Sequence, residues 1–115
     1  MSYVHIGIIE KVDPHKNYGV IPPNKPYAEV VAEYHCIAVD DDTFDGWLGE
    51  CNSYDGFHCT LHRPADFIDA TGVTLLPPVS AEKFARFLEP KQVPDLVRLL
   101  RRATSEGKYV VIFGY

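Results

Sequence analysis

Histidine and cysteine side chains raise the question of a metal site. The residues that zinc would use are His35, Cys51, His58, Cys59 and His62. Zinc binds thiolates and imidazoles in a tetrahedral site, and residues four apart, such as His58 and His62, face the same way in a strand or a helix. No Cys-X-X-Cys pair occurs, so the paired-cysteine spacing of zinc fingers is absent. We therefore expect no cofactor and keep zinc as the alternative.

The same residues offer a second chemistry, in which a cysteine thiolate acts as a nucleophile. A thiolate of Cys51 or Cys59 would need a base such as His58 or His62 to lower the thiol pKa. Cys51 falls on the apolar face of a predicted helix, where thiols are inert. His58 and Cys59 are adjacent and would point to opposite faces of a strand. A metal-dependent or thiol enzyme is therefore the alternative function.

An acidic run lies between residues 40 and 50. If Asp41 is taken as the first position of a calcium-binding loop, the residues through Gly46 match the loop pattern. Asn52, however, occupies the last position, where a bidentate glutamate is required. We instead expect a surface for a basic protein partner, formed by Asp41, Asp42, Asp45, Glu50 and Tyr54. A tyrosine there would supply the aromatic contact that interfaces favour, whereas the helical spacing around Trp47 indicates a core position.

Charge is unevenly divided along the 115 residues, whose net charge is −5. Residues 1–78 carry 4 Lys/Arg and 12 Asp/Glu, and residues 79–115 carry 7 and 4. An acidic chain is unsuited to nucleic acid, which needs many cations against its phosphates, and to anionic membranes. The basic residues Arg98, Arg101 and Arg102 are expected on the solvent side of a helix, with Glu106 within reach of Arg102.

The length and the cysteines set the broad class of protein. A chain of 115 residues predicts one domain with its own core. Three cysteines is an odd number, and the first residues have neither a basic segment nor a long apolar one. No apolar run reaches the roughly 18 residues of a membrane span. We expect a cytoplasmic protein with reduced thiols.

The first part of the chain is predicted to form three strands. Val and Ile dominate residues 3–12, and turn residues at 13–17 precede a returning strand over 18–21, so a hairpin is expected. Residues 30–39 fit both a helical stripe and an alternating strand. Their β-branched content favours a strand.

Helices and further strands follow. Asp41 or Asp42 is predicted to cap a helix whose apolar face comprises Phe44, Trp47, Leu48 and Cys51. Short strands are predicted over 57–61 and 73–76. Two further helices are predicted, one capped by Ser80 and one running from Pro94 to Gly107. A final strand covers residues 109–113.

These elements predict a single α+β domain, a mainly antiparallel sheet with helices packed on one face. The absence of a recognisable catalytic constellation favours a non-enzymatic, protein-binding module. Inhibitor or immunity proteins that mask a basic surface are one class of this size and charge. Self-association through an exposed sheet edge is compatible with either function.

Overall fold

The computed structural model describes residues 2–114, and its strands form one antiparallel sheet. The strands, in chain order, are β1 (Tyr3–Ile9), β2 (Ile37–Asp40), β3 (Gly56–His58), β4 (Pro64–Ala65), β5 (Val73–Leu76) and β6 (Tyr109–Phe113). Their order across the sheet is β2-β1-β6-β5-β3-β4. The apolar strand β6 therefore lies in the middle, paired with β1 and β5 on its two sides.

Helices cover both faces of this sheet. They are α1 (Tyr27–Glu33), α2 (Asp41–Glu50), α3 (Pro78–Leu88) and α4 (Pro94–Glu106), with a 3-10 turn at Glu89–Lys91. The three helices that the sequence predicted, α2, α3 and α4, pack on one face as expected, but the short α1, which was predicted as part of a strand, packs on the other. The α+β class with an antiparallel sheet is confirmed. No helix within residues 2–114 is long and apolar enough to cross a bilayer.

Strand β6 shows how one sheet separates two cores. Successive side chains of a strand point to opposite faces, so Val110 and Ile112 enter the core beneath α2, α3 and α4. Val111 and Phe113 enter the second core, together with Val30 of α1. These four residues of β6 are buried because both faces of the strand are covered.

The predicted N-terminal hairpin is wrong. Strand β1 ends at Ile9, and residues 10–26 contain no strand. Tyr18 is buried in this loop, where its N–H donates to the Cys59 carbonyl (2.8 Å) and its hydroxyl accepts from the Asp13 N–H (2.9 Å). The segment is held by these contacts and by the second core, not by a ladder with β1.

The predicted strand over 30–39 is half wrong, because its first part is helix α1. The helix ends where the N–H of His35 donates to the Ala32 carbonyl (3.1 Å) and that of Cys36 donates to the Val31 carbonyl (3.2 Å). This pair of bonds is a Schellman motif, and His35 adopts the left-handed conformation it requires (φ 53°). Only Ile37–Asp40 continues as the strand β2.

Helix α2 begins one residue earlier than predicted. The carboxylate of Asp40, rather than of Asp41 or Asp42, accepts the N–H of Thr43 (3.2 Å) and so caps the helix. Phe44 and Trp47 are buried, as their spacing predicted. The cap also marks the point where the edge strand β2 turns directly into the helix.

The last third of the chain follows the prediction closely. Helix α3 begins at Pro78, and Ser80 is a buried helical residue whose hydroxyl donates to the Asp55 carbonyl (2.5 Å), so it is not the cap. Helix α4 ends at Gly107, whose φ of 68° confirms the predicted left-handed terminator. Arg102 pairs with Glu106 (3.0 Å), as their spacing predicted.

Candidate functional site

The structure does not bring the histidine and cysteine residues into one metal site. Cys51 packs against the core beneath α2, α3 and α4, whereas Cys59 packs against the second core, so the sheet lies between them. Within residues 2–114, no group of three or more His, Cys, Asp or Glu side chains is placed to hold a metal ion. The alternative zinc set therefore does not converge in the described chain.

The histidines have separate surroundings. The ring of His58 packs edge-on against Phe67, and its Nε2 lies 3.0 Å from the Phe67 carbonyl oxygen. His62 stands near His15, with ring centroids 6.4 Å apart, and His35 forms the turn after α1. Cys59 and His62 have the Cys-X-X-His spacing of some zinc sites, but in the part of the chain described here no third ligand joins that pair.

The thiols show no sign of nucleophilic activation. Burial raises the pKa of the Cys36 thiol to about 12, which disfavours its thiolate. Among the described residues, no hydrogen bond joins a cysteine thiol to a histidine ring.

Three carboxylates share the solvent side of α2, and we call Asp41, Asp42 and Asp45 the acidic face. Their spacing of three and four residues places them side by side on a helix. Asp42 and Asp45 are exposed, and the buried Phe44 and Trp47 occupy the opposite side. Because residues 41–50 form one continuous helix, the calcium-loop interpretation is wrong.

The acidic face has no ion-pair partner in the part of the chain that the structure describes. Residues 26–62 contain no Lys or Arg and eight Asp or Glu: Glu29, Glu33, Asp40, Asp41, Asp42, Asp45, Glu50 and Asp55. Within residues 2–114, no ion pair involves a carboxylate of the acidic face. In residues 79–115, by contrast, six of the seven cations are paired with carboxylates. The charge of Asp41, Asp42 and Asp45 is therefore not balanced by an ion pair within residues 2–114.

Glu50 differs from the acidic face, although the sequence grouped them. The ammonium of Lys91 contacts both carboxylate oxygens of Glu50, at 2.7 and 2.8 Å. Lys91 belongs to the 3-10 turn before α4, so this ion pair ties the end of α2 to that turn. Glu50 remains exposed but already has a counterion.

Tyr54 is not on the surface, which corrects the predicted partner-binding set. It is 1% exposed, and its ring packs edge-on against Phe84 with centroids 5.3 Å apart. The side chain of Asn52 donates to the Ile68 carbonyl (3.2 Å) and accepts the Ile68 N–H (2.8 Å). This clamp draws the segment after α2 inward. Burial, with a smaller contribution from Cys51, raises the pKa of Tyr54.

Two glycines make the outer side of α2 flat. Gly46 and Gly49 are both exposed, and a Cβ atom built on either one would meet nothing within 4 Å. Helical periodicity places them beside Asp42 and Asp45. The backbone of α2 is therefore open to close approach beside two carboxylates.

A groove lies beside α2, with a volume of about 400 Å³. Strand β2, helix α2 and the first turn of α4 form its walls, and its apolar lining includes Val39, Trp47, Val93 and Leu96. The groove could not be predicted from the sequence, because its walls come from three separate segments of the chain. The carboxylates of Asp40 and Asp95 also line it, so apolar and acidic groups stand together.

No family model matches the chain, and neither a curated protein nor a solved structure matches it. A functional interpretation therefore depends on the surface itself.

Proposed function

We propose that this protein is a non-enzymatic binding module that uses the acidic face of α2 to bind a basic surface on another protein. The observation that carries the proposal is the set of three carboxylates, Asp41, Asp42 and Asp45, without an ion-pair partner among residues 2–114. Positively charged side chains on a partner would pair with these carboxylates and balance their charge.

Stability of the helix alone does not account for this face. Asp41 and Asp42 lie in the first turn, where the helix dipole favours carboxylates by roughly 0.3–1 kcal/mol. Asp45 lies in the second turn, beyond most of that effect. Gly46 and Gly49 each lower helix stability by about 1 kcal/mol relative to alanine, and neither has a close neighbour that excludes a side chain. A partner that approaches the backbone closely would explain both features.

The chemistry of the surface favours a folded protein with clustered Lys and Arg. Such charge complementarity raises the association rate and suppresses wrong partners. A toxin or nuclease whose basic surface is masked by an inhibitor is one fitting class. We place this function in a reducing compartment such as the cytoplasm, because the three cysteines are free thiols.

A charge-matched comparison tests the proposal. The triple variant Asp41→Asn, Asp42→Asn, Asp45→Asn removes the acidic face, and the control Glu29→Gln, Asp55→Asn, Asp66→Asn removes three exposed carboxylates elsewhere. Both variants and the wild type are immobilised, and the proteins captured from a lysate of the source cells are quantified by mass spectrometry at low and high salt.

The expected result is a captured protein of basic pI that the control retains and the acidic-face variant loses. Its capture by the wild type falls as salt rises, because exposed charges are screened. Equal capture by the two variants would overturn the proposal, since net charge alone would then explain binding.

A further inference from the structure

The two edges of the sheet are protected differently. Strand β4 forms one edge with two residues, one of which, Pro64, has no N–H to offer. Strand β2 forms the other edge with four residues and contains neither proline nor lysine. In the described sheet β2 pairs only with β1. The edge at β2 is therefore open to a further strand.

The pairing register shows which backbone groups are available. The N–H of Asp41 donates to the Ser2 carbonyl (3.2 Å). Because bonding alternates along an antiparallel pair, Val39 and Ile37 direct their backbone groups toward β1. Ala38, which lies between them and is exposed, directs its N–H and C=O away from the sheet.

A binding groove runs along this edge. The groove lined by Val39, Trp47 and Leu96 borders β2 on its helical side, and a second cavity of about 400 Å³ continues past Ile37 to Leu99. Cavities of this size accept individual side chains. An added strand would place alternate side chains in this groove.

The open edge at β2 could pair with a second copy of this chain or with a segment of another protein, and charge favours one of the two. A second copy of β2 would bring its own Asp40 and acidic face against those of the first copy, and residues 26–62 contain no Lys or Arg. Arg98 and Arg102 line the second cavity, but they are already paired, Arg98 with Asp95 and Arg102 with Glu10 and Glu106. A segment rich in Lys and Arg would place cations beside Asp40 and Asp42. The groove therefore fits a basic strand better than a second copy of this chain.

We propose that β2 accepts an extended basic segment of the partner, which pairs with Ala38 and inserts apolar side chains at alternate positions into the groove. The inference rests on the proposed function, because it assigns a binding mode to the same partner. Backbone bonds would supply affinity, and the groove and carboxylates would supply specificity, as in other cases of β-augmentation.

The probe is a synthetic peptide of alternating lysine and valine, added to the full chain and followed by amide NMR. We expect protection of the Ala38 N–H from exchange and shifts in the Trp47 indole resonance. The control is a peptide of the same sequence and charge whose backbone nitrogens facing β2 are N-methylated. It should bind roughly fivefold more weakly, because N-methylation removes the peptide N–H that would donate to the Ala38 carbonyl. A glutamate–valine peptide should not bind.

The outcomes separate the two proposals. If the N-methylated peptide binds as well as the parent peptide, strand addition is overturned, while loss of capture by the acidic-face variant would still support the proposed function. Absence of peptide binding overturns strand addition in the same way. Concentration-dependent protection of Ala38 without peptide would identify a second copy as the occupant and overturn the basic segment. The variant Ala38→Pro, checked for folding by circular dichroism, should reproduce the effect of N-methylation from the protein side.

Discussion

Lys91 holds the carboxylate of Glu50 through both oxygens, at 2.7 and 2.8 Å, and so joins the end of α2 to the turn before α4. Gln92, the residue after Lys91, lines the groove beside α2. The ion pair also separates Glu50 from Asp41, Asp42 and Asp45, which have no such partner among residues 2–114.

We expect Glu50→Gln to leave partner capture intact, because its charge is already balanced by Lys91. The stability effect should be small, since the side chains of Glu50 and Lys91 are 56% and 26% exposed. A double-mutant cycle with Lys91→Met, measured by urea unfolding, should give a coupling of about 0.2–1 kcal/mol. Loss of capture in Glu50→Gln equal to that in the acidic-face variant would place Glu50 back in the binding surface.

Substitutions at Gly46 and Gly49 should raise the stability of the protein and weaken its binding to a partner. Replacing either by alanine should raise the free energy of unfolding by about 0.5–1 kcal/mol, because the added Cβ meets nothing and the helix gains propensity. The same substitutions should weaken partner capture if the backbone is approached closely. Gly7→Ala is the steric control. Its Cβ would lie 2.6 Å from the Cys36 sulfur and should destabilise the protein. Unchanged capture by the stabilised variants would remove the glycines from the binding argument.

Local signals explain which elements could be predicted. The spacing of Phe44 and Trp47, the terminator Gly107 and the apolar run 109–113 all act within a few residues, and α2, α4 and β6 followed them. Residues 18–21 also resembled a strand locally. Tyr18, however, is held by Cys59 and Asp13, and contact with Cys59 depends on the folded chain.

The candidate surface could be predicted only in part, because some of its residues are positioned by contacts with distant parts of the chain. Charge and periodicity placed Asp42 and Asp45 on the outside of a helix. Tyr54 lies inside because Asn52 clamps Ile68, a residue sixteen positions away. The groove, whose walls include Val39 and Leu96, required three separate segments to meet.

The partly buried thiol of Cys36 predicts a pH-dependent loss of stability in alkali. An unfolded cysteine ionises near pH 8.5, whereas burial raises the pKa of Cys36 in the folded chain to about 12. The contribution of Cys36 to the free energy of unfolding is therefore constant below pH 8.5, and it declines as the pH rises toward 12. The limit is about 1.4 kcal/mol per pH unit, because the unfolded chain releases its proton first.

Urea unfolding from pH 8 to 11 measures this slope, and Cys36→Ala is the control that should make it shallower. Alkylation gives an independent readout. At pH 8 the folded Cys36 thiol should react with iodoacetamide roughly a thousandfold more slowly than in the urea-unfolded chain, because its thiolate fraction is smaller. Identical slopes in the variant and the wild type, or rapid labelling of the folded thiol, would contradict the burial.

His35 explains why α1 escaped prediction and supplies the last test. Helix α1 ends in the same Schellman motif as α4, but the left-handed residue is His35 (φ 53°) where α4 has Gly107 (φ 68°). A side chain in that conformation is strained by roughly 1 kcal/mol relative to glycine. His35→Gly should therefore raise the free energy of unfolding by about that amount. Gly107→Ala should lower it by a similar amount, since nothing lies near its Cβ and strain alone remains. Thermal and urea unfolding measure the stability of the two variants. If the free energy of unfolding changed in the same direction in both, the two helices would not end in the same motif.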